Sequence, residues 1–344
     1  MKKDRPSDIC DRILGTYLGS LFRHSSVHCK TVIFSGKKKT GREFPLSGDK
    51  HRSHSKRLSL SLVHTMTVNH QTLADTTTDK VLSLVRQFYK DHPEIKVSHG
   101  MDHVERVFDH ACRAVKVHLP PLTPIQGTEI KVAALLHDVD DGKYFPHHDN
   151  FENARSILRL CGNDRNNGDG IIISSSSVEI ILSMIGWVSC SKNGNHVPEI
   201  IRQSGDYHLL IPRWADRLEA VGPIGVVRCY QYNREHNRPL FSKASPRATT
   251  EAQVWELASP DRFENYLKDS INAVEDDMIS HYYDKLLHVA RPPPEIVRNC
   301  YLEEAARQSA RELVDVCLRF GRTGDVDTAA IEQLAEKLKM QVKY

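Results

Sequence analysis

The sequence predicts an all-α protein, and three observations support this prediction. From Thr78 onward, apolar residues recur at three- and four-residue spacing through most of the chain. No stretch keeps the alternation of apolar and polar residues that is typical of a half-buried strand. Pro, Gly and Asn divide the chain into segments of helical length. The predicted architecture is therefore a helical bundle in which functional side chains lie between helices.

Capping and breaking residues set the limits of the predicted helices. A run of threonines at 76–78 can cap the first helix, and Asp91-His-Pro93 ends it. Pro120 and Pro124 separate the second helix from the third, which ends at a His-Asp pair. The predicted helices span 78–91, 98–119, 124–138, 151–161, 176–188, 196–203, 210–222, 266–290 and 303–320. The last is strongly amphipathic, as expected of a helix that packs along a core.

The chain is predicted to comprise a basic arm (residues 1–74), a folded domain (75–324) and a helical tail (325–344). Residues 1–70 hold 14 Lys and Arg against 5 Asp and Glu, a balance of +9, whereas the rest holds 33 against 39, a balance of −6. Because its apolar stretches are short, the arm is predicted to be largely disordered. It can contact nucleic acid or anionic lipid, or have no defined partner. Met66 is an alternative start.

Composition narrows the functional classes. A net charge of +3 is too small to make the whole chain a polyanion binder. None of the eight cysteines stands in a C-x-x-C spacing, which argues against zinc-ribbon and thioredoxin-like motifs and favours reduced thiols in the cytoplasm or nucleus. The most apolar segment, 171–188, contains five serines and Glu179, so no membrane span is expected.

The pair His137-Asp138 is the most informative feature of the sequence. It ends an apolar run, Val-Ala-Ala-Leu-Leu, so an imidazole and a carboxylate stand together at the end of a buried helix. Asp138, Asp140 and Asp141 would repel one another unless a cation lies among them; an exposed acidic helix end is the alternative. Lys143 can contact a phosphate, or it can balance the neighbouring carboxylates.

Two further residues can complete a metal site. His103 shares a helix face with His99, four residues earlier, although a histidine in such a place is more often structural than a ligand. Asp216 precedes Arg217, and either a metal or an ordinary ion pair would satisfy it. Two imidazoles and two carboxylates can hold one divalent ion and leave coordination positions open.

Residues 234–247 are predicted to form a long basic loop after a helix. It is either a lid over an anionic substrate or a solvated insertion.

Taken in order, these residues resemble the signature of the HD-domain superfamily of metal-dependent phosphohydrolases, and most nearly its YedJ-like branch. The matching segments read His99-Gly-Met-Asp-His-Val-Glu-Arg-Val107, His137-Asp138, Trp214-Ala-Asp-Arg-Leu-Glu-Ala-Val-Gly-Pro-Ile-Gly225 and Ser280-His-Tyr-Tyr-Asp-Lys-Leu-Leu287. The resemblance covers roughly residues 78–322 and implies an all-α HD bundle. It does not extend to the arm.

The resemblance also implies residue roles. The ligands of one divalent ion, Mn, Fe, Mg or Zn, would be His103, His137, Asp138 and Asp216. Asp141 would orient or deprotonate the attacking water, and Lys143 would contribute to catalysis. The substrate contacts would be His99, Lys143 and Arg217.

Three positions depart from the pattern. Gly100 stands where the branch usually has Asp. Trp187 stands near the place of a histidine, which favours one metal over two. Asp141-Gly142 replaces the Glu-Asp of guanosine-tetraphosphate hydrolases, which argues against that substrate.

The predicted function is metal-dependent hydrolysis of a nucleotide or another small phosphorylated metabolite. The alternative is a non-catalytic HD module that binds a nucleotide or a protein through the same pocket. Nucleic acid is expected as a partner only through the arm, and the oligomeric state is left open.

Overall fold

Helices make up all the regular secondary structure of the residues that the computed structural model describes, 76–96, 99–162, 173–269 and 277–341. The predicted all-α fold is confirmed over these ranges. The predicted arm, residues 1–74, lies outside the described residues. The domain limits at 75 and 324 stay predictions.

The helices follow one another with short connections. They are α1 (76–91), α2 (Met101–Val117), α3 (Pro124–Leu136), α4 (Glu152–Gly162), α5 (Ser175–Val188), α6 (Cys190–Asn193), α7 (Glu199–Ser204), α8 (Ile211–Leu218), α9 (Gly222–Glu235), α10 (Glu251–Leu257), α11 (Pro260–Asp269), α12 (Met278–His281, a π-helical turn Tyr282–Leu286, and Leu287–Ala290), α13 (Pro294–Val297), α14 (Cys300–Thr323) and α15 (Thr328–Gln341). A 3₁₀ turn, Tyr207–Leu210, leads into α8.

Two predicted helices are wrong in extent. The segment 210–222 is not one helix, because α8 ends at Leu218 and α9 begins at Gly222, whose φ of 68° turns the chain between them. The segment 266–290 is interrupted: α11 ends at Asp269, and Asp277 caps the start of α12 by accepting a hydrogen bond from the Ser280 amide. Residues 270–276 lie outside the described residues.

Helix α3 is the central element of the group of helices around the His-Asp pair, which we call the His-Asp half of the protein. A capping box between Thr123 and Gln126 begins it, with Pro124 in its first turn. The run 132–136 is 0% exposed, because α2, α5 and α8 all pack against α3. The last five residues of α3 are apolar and buried on every side, so the residues directly after Leu136 are held on a rigid base.

A second apolar core lies among α9, α10, α12, α14 and α15. Its fully buried members include Tyr282, Leu287, Leu313 and Phe320. Helix α14 also packs against α2 and α8. Its 24 residues, about 36 Å at 1.5 Å per residue, therefore connect the two cores.

The basic segment 234–247 packs against α12 and the end of α14. The carbonyl oxygens of Pro239 and Leu240 accept hydrogen bonds from the first amides of α12, and the Arg247 guanidinium lies 5.5 Å from the ring centre of Phe320. Phe320 is roughly 28 Å along α14 from Tyr301, which lies beside the His-Asp half. These contacts support neither a lid over the His-Asp pair nor a freely solvated insertion.

Within the described ranges, no helix is both long enough and apolar enough to cross a membrane.

Candidate metal centre

The ends of three helices bring the predicted metal ligands together. His103 lies in the first turn of α2, His137 and Asp138 directly follow α3, and Asp216 lies in the last turn of α8. The Nε2 atoms of His103 and His137 are 3.1 Å apart. Asp216 Oδ1 lies 3.3 Å from Nε2 of His103 and 3.6 Å from Nε2 of His137. Asp138 Oδ2 lies 3.5 and 3.4 Å from the same two nitrogens.

The spacing of these atoms fits the coordination shell of a single ion. Ligands about 2.1 Å from a metal lie about 3.0 Å apart at right angles and about 3.4 Å apart at the tetrahedral angle. Each of the two imidazole Nε2 atoms lies 3.1 to 3.6 Å from the other donor atoms. His103, His137 and Asp216 form a compact group that could hold a metal ion, and Asp138 adds a fourth donor beside the two imidazoles.

The tautomer of His137 also suits a metal ligand. Its Nδ1 lies 2.9 Å from the carbonyl oxygen of Ala134, which can only accept, so Nδ1 carries the proton. Nε2 of a neutral ring then presents its lone pair toward Nε2 of His103. Since both imidazoles are buried, a cation between these nitrogens satisfies them without a second proton. The residues present therefore fit a divalent metal ion.

The electrostatics of the group favour a cation. Burial alone lowers the pKa of the His103 ring, yet the nearby carboxylates of Asp138, Asp216 and Glu219 raise it to about 10. The charges of Asp138 and Asp216 raise the pKa of His137 against its burial. Conversely, the imidazoles hold the pKa of Asp138 and of Asp216 below the usual range despite burial. The carboxylates are thus ionised, and a metal must displace the proton on His103.

Three residues predicted to act on substrate lie together beside this group. Lys143 Nζ lies 2.9 Å from Nε2 of His99 and 3.6 Å from Oδ2 of Asp141. Burial, together with the Lys143 charge, lowers the pKa of His99 to about 4, so its ring is neutral and accepts a hydrogen bond from the ammonium group. The Lys143 backbone amide donates to Oδ1 of Asp141 at 3.0 Å.

The turn that carries Asp141 is anchored by Asp140. The carboxylate of Asp140 accepts hydrogen bonds from the Asn153 and Ala154 amides at the start of α4, each at 2.9 Å. His148 Nδ1 lies 2.9 Å from the same carboxylate. Asp140 therefore has a structural function that explains its place in the acidic run.

Arg217 is placed differently from the other predicted substrate contacts. Its guanidinium donates to the Gly194 carbonyl oxygen and to Oδ1 of Asn195, and it stacks on the Trp214 ring. The neighbouring Arg213 donates to the carbonyl oxygens of Trp187 and His196. These bonds join the segment that follows α5 to helix α8. They do not bring Arg217 to Lys143 and His99.

Three residues near the site were not singled out from the sequence. Glu219, three residues after Asp216, is 3% exposed and faces His103. The buried hydroxyl of Tyr89 has no hydrogen-bond partner among the described residues, and burial, with the charges of Asp138 and Asp141, raises its pKa. Arg228 donates to the Glu219 carbonyl oxygen at 2.9 Å. Only the i, i+3 relation of Glu219 to Asp216 was visible in the sequence.

Fold and site thus define an all-α protein with a His-Asp candidate metal centre. No protein-family model matches its sequence. The chain is 35% identical over 240 residues to the uncharacterized protein L803 of Acanthamoeba polyphaga mimivirus, an alignment that covers 69% of this chain and 93% of that protein. The chain therefore belongs to the same protein family as L803.

Several solved structures are similar at low sequence identity. A protein from Lactobacillus plantarum is 21% identical and covers 73% of this chain and 98% of its own, with a TM-score of 0.48. An HD-superfamily hydrolase from Bacillus thuringiensis is 16% identical, with coverages of 72% and 96% and a TM-score of 0.44. A Listeria innocua protein is 16% identical, with coverages of 71% and 94% and a TM-score of 0.41. Similarities of this strength assign no function.

Proposed function

We propose that this protein is a metal-dependent phosphohydrolase of the HD-domain superfamily, in its YedJ-like branch, that acts on a nucleotide or another small phosphorylated metabolite. The observation that carries the proposal is the convergence of His103, His137, Asp138 and Asp216. The two imidazole nitrogens lie at distances from each other and from both carboxylates that suit one divalent ion.

The residues around the quartet would divide the work of hydrolysis. A divalent ion in this site would polarise a phosphoryl oxygen and lower the pKa of a bound water. Asp141, whose Oδ1 is held by the Lys143 amide, would orient the attacking water and accept its proton. The ammonium group of Lys143, placed by the neutral ring of His99, would offset the negative charge that develops on the phosphate.

The exposure of Lys143 supports this assignment, and the cysteines bear on the location of the protein in the cell. The Lys143 side chain is 65% exposed, whereas His103 and His137 are buried. The Lys143 ammonium group therefore lies at the rim of the site, where a charged substrate would arrive. The spacing of the cysteines supports a place in the cytoplasm or nucleus. Nucleic-acid binding through the arm stays a prediction.

The test is phosphate release from a panel of nucleotides and sugar phosphates, with Mn²⁺, Fe²⁺, Mg²⁺ or Zn²⁺ restored. Asp141→Asn should lower kcat/KM for a hydrolysed compound by about 10²- to 10⁴-fold, the usual contribution of a general base. Lys143→Ala should also lower it, while Lys268→Ala, an exposed lysine on α11, should not. Nucleotide binding without phosphate release under any metal would favour the non-catalytic module.

A further inference from the structure

Glu219 is a buried carboxylate that faces the Nδ1 edge of the His103 ring, on the side away from the other metal ligands. Its Oε2 lies 4.0 Å from Nδ1 of His103, while Nε2 of the same ring faces the other ligands. Nδ1 is buried and has no hydrogen-bond partner among the described residues. When Nε2 binds a metal, Nδ1 carries the ring proton, and a buried N–H without an acceptor costs about 1–3 kcal/mol. Glu219 is placed to be that acceptor.

The position of Glu219 is fixed from two sides. Arg106, one turn after His103 on α2, donates from Nε to Oε2 at 2.5 Å. His110 Nε2 lies 3.4 Å from Oε1 and can donate to it. The hydroxyl of Tyr301, from α14, lies 2.7 Å from Nδ1 of His110, which can then accept a hydrogen bond from it. A carboxylate that is 3% exposed is therefore anchored by two side chains of α2, one of which is itself held by Tyr301 of α14.

The start of α14, which carries Tyr301, is itself held in place. Asn299 caps α14 by accepting a hydrogen bond from the Leu302 amide. Its Nδ2 donates to the Ala114 carbonyl oxygen of α2 at 3.0 Å. The start of α14, and with it Tyr301, is thus fixed against the helix that carries His103.

We propose that Glu219 is the positioning residue of the metal centre, and that Arg106, His110 and Tyr301 hold it there. By accepting a hydrogen bond from the Nδ1–H group of His103, Glu219 would fix the tautomer and orientation of the ring and raise its basicity as a ligand. The inference rests on the metal centre of the proposed function, and it does not require hydrolysis.

The test is a Co²⁺ titration followed by its visible absorption spectrum. Glu219→Gln keeps the shape of the side chain but removes its charge, and should raise the Kd for Co²⁺ by about 10- to 100-fold and shift the absorption bands. Glu219→Asp should recover part of the affinity. Glu129→Gln is the matched control, because Glu129 is also buried but lies on α3 two turns before His137. It should leave Kd and spectrum unchanged.

Folding is checked by thermal melting of each metal-free variant. If Glu219→Gln does not fold, Arg106→Gln carries the test, because this 33% exposed side chain anchors Glu219 without touching the quartet. It should raise Kd by a smaller factor. Wild-type Kd and spectrum in the folded Glu219→Gln protein would overturn the proposal.

Two other results separate this inference from the proposed function. A wild-type protein that binds Co²⁺ and responds to Glu219→Gln, but releases no phosphate, would support the positioning role and contradict the hydrolase. A wild-type protein that binds no Co²⁺ would overturn the metal centre on which both proposals rest.

Discussion

A metal bound at the His-Asp centre should stabilise the fold, because its ligands come from three different helices. The donors of α2, α3 and α8 are 3.1 to 3.6 Å apart in the folded chain, an arrangement that an unfolded chain does not keep. A ligand at 100 times its Kd stabilises the native state by about 2.7 kcal/mol. At about 2–4 °C per kcal/mol for a domain of this size, Tm should rise by about 5–11 °C.

The assay compares thermal melting in a chelator with melting in saturating Mn²⁺. Asp216→Asn replaces a charged carboxylate of the compact group with a neutral amide and should lose most of the rise in Tm. Glu179→Gln is the control, because Glu179 pairs with Arg155 outside the group and should keep the full rise. An unchanged Tm in the wild-type protein, or an equal rise in Asp216→Asn, would refute the reasoning.

Three further predictions concern packing and titration. Gly321→Ala should destabilise the protein by about 1–3 kcal/mol or more in urea denaturation, because the added methyl group overlaps the Ala248 carbonyl oxygen. Gly162→Ala is the control: its methyl group meets open space, so the change should be neutral or stabilising. Equal effects of the two substitutions would contradict the packing around Gly321. In the folded metal-free protein the pKa of His103 is raised to about 10, so the charged ring stabilises the fold. This contribution is complete below pH 6.5 and is lost as pH rises toward 10. The free energy of unfolding should therefore fall over that range in the wild type, and fall less in His103→Gln. Burial and a nearby ammonium group lower the pKa of His99 to about 4, so its ring resonances in NMR should not titrate above about pH 5, and a midpoint near 6.5 would show that its surroundings are different.

Most of the fold was predictable because its signals are local. Proline and capping residues begin α3, and the apolar spacing of α14 follows from its own residues. The break at Gly222 was missed because a positive φ at one glycine leaves no mark on the periodicity of the flanking segments. The interruption before α12 was missed because apolar spacing continues on both sides of Asp277, which caps the new helix.

The site was predictable only in part. A characteristic order of His, His-Asp and Asp suggested the ligands, and the structure brings all four together. Glu219 and Tyr89 were missed because each acquires its significance from side chains on other helices. Arg217 is a substrate contact implied by the family resemblance, and this stays a prediction. In the structure its guanidinium binds Gly194 and Asn195, because neighbouring residues of a helix point to different sides.

Metal content is the most direct test of the His-Asp centre. Wild-type protein and His137→Ala would be reconstituted with Mn²⁺ or Fe²⁺, freed of unbound metal and analysed for metal per chain. One metal per chain in the wild type and almost none in His137→Ala is the expected result. No bound metal in the wild type, or equal amounts in both proteins, would contradict the metal centre.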